Sequence, residues 1–461
     1  MVKGNVAKIE IIDSVSCKAN SKARELIKPL LKYEAKFYKR TQYGGKHIIT
    51  TQYLITGRSN SSGTFLTGFL RRIKKTFKSK IQIIGKLEKL PPDSKIPYLK
   101  NIIFREDQLK TIKKLRMKQR GLVVYPTGSG KTIICFGFLS MFLSYRILFL
   151  CHTLDLITQA SEELTRFDIN HQILTGTNKL QNNFFDRKSC FLLSTVQSFA
   201  KIPVEKHSAF FDIIVVDEVH KAANTNIQYA NILESSLAPM KIGLTATIPI
   251  EKKRALVLEG LFGEVIAELK PDYGNQIGII AKVDLELLAY SQLNSLINEK
   301  TYQRIYQLGI VENKFRNNLI VDVSLKSIAK NNSVLIIVDK LIHGEILQKL
   351  FRESKIYVPF VQGIEDTKFR SKIKSQLKRK EIKLVIATKV WKEGINIPSL
   401  NHVVYAAAGK DELSIRQYMG RGLRIAKDKN RIKLTDFMDH GRYLAEHSIV
   451  RFSIYKKQKW I

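Results

Sequence analysis

The stretch Tyr125-Pro-Thr-Gly-Ser-Gly-Lys-Thr132 follows an apolar run and opens an apolar helical pattern, the setting that a phosphate-binding loop needs. Gly128 and Gly130, beside Thr127 and Ser129, let backbone N–H groups close around a phosphate. Lys131 has the reach and charge for the terminal phosphates, and Thr132 offers a hydroxyl to magnesium. Position 125 holds Tyr where the common form of this loop has glycine. Further on, Ile213-Ile-Val-Val-Asp-Glu-Val-His220 sets two carboxylates at the end of a buried strand. Phosphoryl transfer rests on positioning and charge compensation more than on covalent chemistry. Asp217 is therefore the expected holder of Mg²⁺, directly or through water, and Glu218 the group that polarises the attacking water. A glycine-rich turn and a solvated strand end are the structural alternatives. The two motifs together favour hydrolysis of ATP with Mg²⁺.

Groups spread over so many residues need a scaffold that returns the chain to one edge. From residue 98 onward short apolar runs alternate with helical stretches, with strands expected at 122–125, 147–151, 191–194, 213–216 and 242–244. Each run is almost continuously apolar, as a parallel sheet covered on both faces requires. After 271–278 the alternation restarts, with strands expected at 334–338, 356–358, 384–387, 403–406 and 433–437. The fold class is α/β: two tandem doubly wound parallel-sheet domains, at 98–270 and 271–461. A small α/β domain at 1–97 precedes them. Its expected elements are a strand at 9–12, helical periodicity over 21–37, a β-rich stretch at 47–55, a basic helix over 65–77 and a strand at 81–84. A linker over 89–97 follows.

Charge points to the partner. The 461 residues hold 77 Lys+Arg against 41 Asp+Glu, a formal +36. Residues 1–100 alone carry 22 Lys+Arg and 6 Asp+Glu, a net +16. Such an excess suits a polyanion, with nucleic acid first. On the helix at 65–77, Phe65, Phe69, Ile73 and Phe77 recur every four residues and form a core stripe. Arg71, Arg72, Lys74 and Lys75 then fall toward solvent, where they can meet phosphates or serve as a plain solvated face. Cys17, Cys135, Cys151 and Cys190 are too widely spaced for a zinc clip or a disulfide scaffold, and suit a reducing compartment. Met1–Glu10 lacks the apolar core of a signal peptide, and the apolar stretch 133–145 is too short to span a bilayer. An intracellular, cytoplasmic protein with no membrane partner is expected.

Asp217-Glu-Val-His220, Thr245-Ala-Thr247 and Gln417-Tyr-Met-Gly-Arg-Gly-Leu-Arg424 follow the phosphate loop in the order found in superfamily 2 helicases of the DExH type. Residues 100–440 resemble that family. The resemblance implies two RecA-like domains, with ATP in the cleft and nucleic acid running across both. It implies that Gln108, in Phe104-Arg-Glu-Asp-Gln108 with Arg105, reads adenine. It also implies that Arg421 and Arg424 reach the γ-phosphate, where guanidinium meets the charge of the transition state, and that Gln417 orients them. Thr388 is then a contact to backbone phosphate and Gly394 approaches nucleotide, in a segment with Asn396 where many relatives have Asp. Thr153, Gln159 and Thr195, and Gln362 with Gly363, match segments that track nucleic acid. Helix capping and loop chemistry are the alternative for these. His220, Thr245 and Thr247 would couple the ATP site to the track, and Trp391 and Trp460 either stack on bases or pack.

The basic front end, together with Tyr306-Gln-Leu-Gly-Ile-Val-Glu-Asn-Lys-Phe-Arg-Asn317, is similar to phage-encoded branch-migrating DNA helicases of the UvsW kind. That resemblance implies a monomer acting on single-stranded, duplex and branched DNA: Holliday junctions, forks, D-loops and, with RNA–DNA hybrids, R-loops. An RNA helicase and an ATP-gated clamp that does not unwind are the alternatives, since nothing in the sequence reads a 2′-OH decisively.

Overall fold

The computed structural model describes residues 6–41, 44–56, 61–126, 128–180, 183–222, 227–249, 251–270, 281–290, 296, 298–363, 367–388, 391, 397, 399–412, 415 and 431–461. The chain separates into two compact units, one of residues 1–125 with 130–268 and the other of 269–461 with 126–129. The expected boundary at 97/98 lies inside the first unit.

The first unit begins with strands β1 (Lys8–Ile11), β2 (Ser16–Ala19), β3 (Lys32–Thr41), β4 (Gly44–Tyr53), β5 (Gly63–Leu66) and β6 (Gln82–Ile84). Four of them form a sheet in the order β5-β2-β1-β6, and β3 and β4 form a separate antiparallel hairpin. Helical periodicity over 21–37 holds only as far as Ile27. Pro29 lies in a 3-10 turn at Lys28–Leu31, and the chain then extends as β3. Proline fixes its own φ and lacks the N–H that would continue a helix. The stripe at 65–77 is core, as its spacing predicts: Phe65, Phe69 and Ile73 are buried around Ile9, Cys17 and Ala23. Its first turn is the end of β5 and a 3-10 turn, and the α-helix proper is Leu70–Phe77.

The second sheet of this unit contains β7 (Arg120–Val124), β8 (Arg146–Cys151), β9 (Gln172–Leu174), β10 (Cys190–Thr195), β11 (Ile213–Val216), β12 (Met240–Thr245) and β13 (Val265–Glu268), in the order β13-β7-β12-β11-β8-β10-β9. Every pairing is parallel. The strands run nearly continuously apolar because helices cover both faces. Strands β9 and β13, at the sheet's two edges, are short and less apolar, and periodicity misses both.

The second unit holds one sheet of β14 (Lys282–Ala289), β15 (Ser333–Ile337), β16 (Phe360–Val361), β17 (Leu384–Ala387), β18 (Leu400–Tyr405) and β19 (Arg431–Met438), ordered β14-β19-β18-β15-β17-β16, again parallel throughout. The expected strand at 356–358 is not one; pairing starts at Phe360, one residue later than Pro359. Proline cannot donate to a ladder, and the Pro359 carbonyl only accepts from the Ile386 amide. Strand β14 escapes the sequence pattern because Lys282, Asp284 and Glu286 alternate with its apolar residues on a half-exposed edge. These are two RecA-like parallel-sheet domains with a small α/β region in front. No helix among the described residues is long and apolar enough to cross a membrane. All four cysteines are free.

Candidate nucleotide site

The chemistry-bearing residues of the first unit gather where β7, β12 and β11 end, the edge at which open parallel sheets bind ligands. Thr245 at the end of β12 is in register with Val124 at the end of β7, and Val216 of β11 with Gly243. The Tyr125 amide donates to the Thr245 carbonyl at 3.0 Å. Tyr125 itself turns away from the loop: it is buried, and its hydroxyl meets Thr111 Oγ1 at 2.7 Å on the helix Glu106–Lys118. Its bulk is absorbed there, so a residue larger than glycine fits at 125.

Gly130 caps the helix Lys131–Leu139 with φ 96° and ψ 28°, a backbone that favours glycine. A Cβ there would lie 2.6 Å from Gln108 Nε2 and 3.4 Å from Arg105 Nη1. Gln108 thus packs against the loop's last glycine, buried, with Oε1 accepting from the Arg105 amide at 3.0 Å. Arg105 holds Asp107 through two nitrogens, at 2.9 and 3.0 Å. Gln108 and Arg105, the residues expected to read adenine, therefore share one wall with Gly130 of the expected phosphate loop.

Lys131 is 10% exposed, and its Nζ has no hydrogen-bond partner among the described residues. The closest carboxylate is Glu218, with Oε1 at 3.9 Å, beyond hydrogen-bond reach. A buried ammonium with unsatisfied donors is costly unless an anion meets it. That is what a phosphate would do. Glu218 adopts φ 49° and ψ 46°, left-handed for a residue with a Cβ. Such a conformation costs roughly 1–2 kcal/mol, and strain of this kind collects at functional sites. It turns the carboxylate at the end of β11 back toward Lys131 and His220. Asp217 Oδ1 accepts from the Glu218 amide at 2.9 Å. Burial first, then the Glu218 charge, push the Asp217 carboxyl above the ordinary carboxylate range, while Lys131 pulls it down.

From Glu218 a chain of contacts runs on to β12. His220 Nδ1 lies 3.3 Å from Glu218 Oε2 and 3.2 Å from Thr245 Oγ1. Thr245 donates its hydroxyl hydrogen to the Thr247 carbonyl at 2.8 Å and accepts from the Thr247 amide. Its oxygen can therefore only accept from His220, which places the imidazole hydrogen on Nδ1. His220, Thr245 and Thr247, the residues expected to couple, thus form one connected set with the Glu218 carboxylate.

Elsewhere the candidates are scattered. Thr153 caps the helix Leu154–Arg166, accepting from the Leu156 amide at 3.4 Å, with Gln159 half-buried further along it. Thr195 caps Val196–Phe199 and also donates to Ser198 Oγ at 2.9 Å. Both hydroxyls have local work. In the second unit Gln362 and Gly363 follow β16, and the buried Thr388 follows β17, with its amide donating to the Val361 carbonyl. They share the strand-end edge of their sheet. Trp391 is fully buried in that core, and Trp460 stacks on Tyr455 at 5.8 Å. Thr127, Gly394, Gln417, Arg421 and Arg424 lie outside the described residues.

Two expected phosphate contacts are otherwise engaged. Arg71 pairs with Glu264 at 3.1 Å and Arg72 with Glu259, both beyond the front region. Helical spacing correctly puts them off the buried stripe, but the surface they face is the helix Lys252–Phe262 and the residues after it. Lys74 and Lys75 are exposed.

The sequence singles out 306–317, and the structure shows what it builds. Three successive carbonyls after β18 are each held: Ala406 by Arg316 Nη1 at 3.0 Å, Ala407 by the Tyr306 hydroxyl at 2.8 Å and Ala408 by Arg451 Nη1 at 3.0 Å. Asp439 joins the two buried arginines, at 2.8 Å to each. Burial alone would raise its pKa, but Arg316 and Arg451 hold it below the usual range. Asp436, Asp439 and Arg451 are partners that no motif in the sequence marks.

Fold and site together define a parallel-sheet nucleotide hydrolase with a phosphate loop and a paired-carboxylate strand end. Residues 100–250 match the family described as type III restriction enzyme, res subunit, and residues 316–426 match the helicase conserved C-terminal domain. The chain is 24% identical to the ATP-dependent DNA helicase uvsW of Enterobacteria phage T4, over 75% of this chain and 73% of that one. It is also 24% identical to the DNA 3′-5′ translocase XPB2 of Sulfurisphaera tokodaii, over 72% of this chain and 81% of that one. A fragment of a putative HsdR subunit of a type I restriction enzyme from Vibrio vulnificus YJ016 shares the fold, with TM-score 0.58 and 19% identity over 90% of this chain and 76% of that one. The chain belongs to the superfamily 2 helicases and resembles the phage helicase uvsW. It is an ATP-hydrolysing, nucleic-acid-binding enzyme.

Proposed function

We propose that the chain is a DNA helicase or translocase that uses ATP to remodel branched DNA, such as four-way junctions, forks and displacement loops. The observation that carries the ATP half is the buried Lys131 ammonium, without a hydrogen-bond partner among the described residues, beside the strained Glu218. The DNA half rests on similarity to a phage DNA helicase and an archaeal DNA translocase, together with a +36 chain.

In this reading Lys131 and the amides of 128–130 bind the terminal phosphates, and Gln108 with Arg105 holds adenine. The half-buried Thr132 and Asp217 are a hard-oxygen donor set that fits Mg²⁺; when bound, the ion compensates phosphate charge. Glu218 orients and deprotonates water. His220 packs against the Glu218 carboxylate and links it through Thr245 to Thr247. Arg421 and Arg424, oriented by Gln417, meet the γ-phosphate, and Gly394 approaches nucleotide. Thr153, Gln159, Thr195, Gln362, Gly363 and Thr388 follow the nucleic-acid backbone, with Lys74 and Lys75 on a duplex arm. The domains are 1–97, 98–270 and 271–461, acting as a monomer inside the cell. The deciding experiment compares ATPase stimulation by single-stranded DNA, a four-way DNA junction and RNA, followed by strand displacement on the junction. Junction processing that requires ATP is expected. Stimulation by RNA alone would refute the DNA assignment, and turnover without strand movement would leave a clamp.

A further inference from the structure

A cavity of about 280 Å³ opens on the side of the first unit opposite the nucleotide site, where β7 and β12 begin. It lies between the front module and the second sheet. Lys74, Lys86, Lys89 and Lys118 line it, with Arg120 in its wall. Lys74, Lys86 and Lys118 are exposed, and among the described residues no carboxylate pairs with them. Lys89 donates to the Met117 carbonyl at 2.9 Å. Of the two carboxylates lining the cavity, Glu264 is held by Arg71, which leaves Glu88 against five lysine and arginine charges.

Arg120 is the second, independent observation. It is 8% exposed, and its guanidinium rests on carbonyls alone: Nη1 on Ser14 and Nη2 on Leu261 at 2.9 Å. Its Nε has no partner among the described residues. Its register partner on β12 is Lys241, itself 1% exposed and held by the Leu233 and Ser236 carbonyls at 2.7 Å each. Asp13, whose field reaches both, accepts through Oδ1 from the Val15 and Ser16 amides. Burial pushes the Arg120 pKa down to about 10 and that of Lys241 well below its ordinary value, with Arg120 adding to the latter. Two adjacent buried cations without a contacting carboxylate are costly. An anion in the neighbouring cavity would offset that cost.

We infer that this cavity is a phosphate seat, engaging a phosphodiester group of a nucleic-acid arm held between the front module and the first helicase domain. The seat rests on the nucleic-acid-binding reading and deepens it by placing a backbone contact far from the ATP site. Cations converging on a concave surface recognise the phosphate rather than the base, so binding there positions an arm without reading sequence.

The test uses the full chain with Lys86→Ala and Lys118→Ala together, two exposed residues outside the nucleotide site. Affinity for a DNA duplex is measured between 50 and 200 mM salt, with ATPase in the absence of DNA and melting temperature as controls. The slope of log K against log salt should fall by about 1 for each phosphate that the variant no longer neutralises. Affinity at the low-salt end should drop about tenfold or more, with both controls unchanged. An unchanged affinity and slope would overturn the seat. In a second arm inorganic phosphate is titrated against melting temperature at matched ionic strength. If phosphate stabilises the parent but not the variant while DNA binding is unaltered, the cavity takes free phosphate and the nucleic-acid assignment is overturned. If the parent binds no DNA, the DNA-helicase reading fails instead, and the phosphate arm still decides whether the cavity is an anion site.

Discussion

Substituting alanine for Gly130 is the sharpest perturbation of the phosphate loop, because two separable costs meet at one atom. Gly130 sits at φ 96°, and a residue with a Cβ held in left-handed backbone loses about 1–2 kcal/mol. The new Cβ would also lie 2.6 Å from Gln108 Nε2. Gln108 is buried at 3% exposure, so it can yield only by giving up the bond from the Arg105 amide. One such bond is worth about 0.5–1.5 kcal/mol. The sum, about 1.5–3.5 kcal/mol, corresponds to roughly 10–300-fold in an equilibrium constant at 1.4 kcal/mol per decade. The loop relieves the strain by opening, so the loss should fall on nucleotide affinity. A fluorescent-nucleotide titration measures it directly. Gln108→Ala and the double variant complete a cycle: removing Gln108 relieves the clash but not the φ strain. The double variant should therefore bind more tightly than the sum of the single losses predicts, by about 0.5–1.5 kcal/mol. Parental affinity in Gly130→Ala, or strict additivity in the cycle, would refute the shared wall between the loop and the helix that carries Gln108.

Glu218→Gln should retain ATP binding while hydrolysis stalls, because an amide cannot take the proton from water; single-turnover assays at parental rate would remove Glu218 from the chemistry. Arg421→Ala should lower turnover far more than nucleotide affinity, since an arginine finger contributes about 10³–10⁵ in rate in well-studied cases, and equal losses in both would mark a structural arginine. Asp439→Asn leaves Arg316 with no carboxylate partner among the described residues and Arg451 with Asp436 alone. Breaking a buried pair costs about 3–5 kcal/mol, so a clear drop in the thermal transition of the second unit is expected, and an unmoved transition would show the network to be dispensable.

The parallel sheets were legible because their central strands are apolar on both faces, a pattern that few other structures require. Ile213–Val216 and Leu384–Ala387 lie where the sequence predicts them. Edge strands were not, because β14 carries Lys282, Asp284 and Glu286 on a half-exposed edge and β13 is short. Of the site, the residue types and the order of the motifs are visible from sequence, since phosphate chemistry demands them. The strained backbone of Glu218, the sharing of Thr245 between His220 and Thr247, and the packing of Gln108 on Gly130 are not. They arise from register between strands far apart in the chain, and no local pattern encodes register. Likewise Asp436 and Asp439 read as the polar end of a strand, while in the folded unit they neutralise two arginines from different helices.

The front module shows the same limit at a larger scale. Its charge excess suggests a detachable arm, and removing 1–95 is the obvious way to ask what it does. The packing argues against that experiment. Leu256, on the helix Lys252–Phe262, belongs to the front module's core beside Phe69. A Cβ on Gly68 would lie 2.0 Å from the Glu259 carbonyl oxygen, and one on Gly260 would lie 2.9 Å from Leu66 and Phe69. Two glycines are needed because two backbones touch. Arg72 further holds Glu259, and Arg120 reaches back to Ser14. Truncation would strip an apolar face and the Arg72 partner of Glu259 from a helix that begins five residues after Thr247, where the chain of contacts from Glu218 ends, and would take from Arg120 the Ser14 carbonyl. Loss of ATPase on truncation would therefore report damage to that helix as readily as loss of a DNA grip. Single charge changes at Lys74 and Lys75, which are exposed and enter no ion pair among the described residues, separate the two effects: they leave the joint's apolar packing and its ion pairs intact and alter only what the module presents to a phosphate backbone.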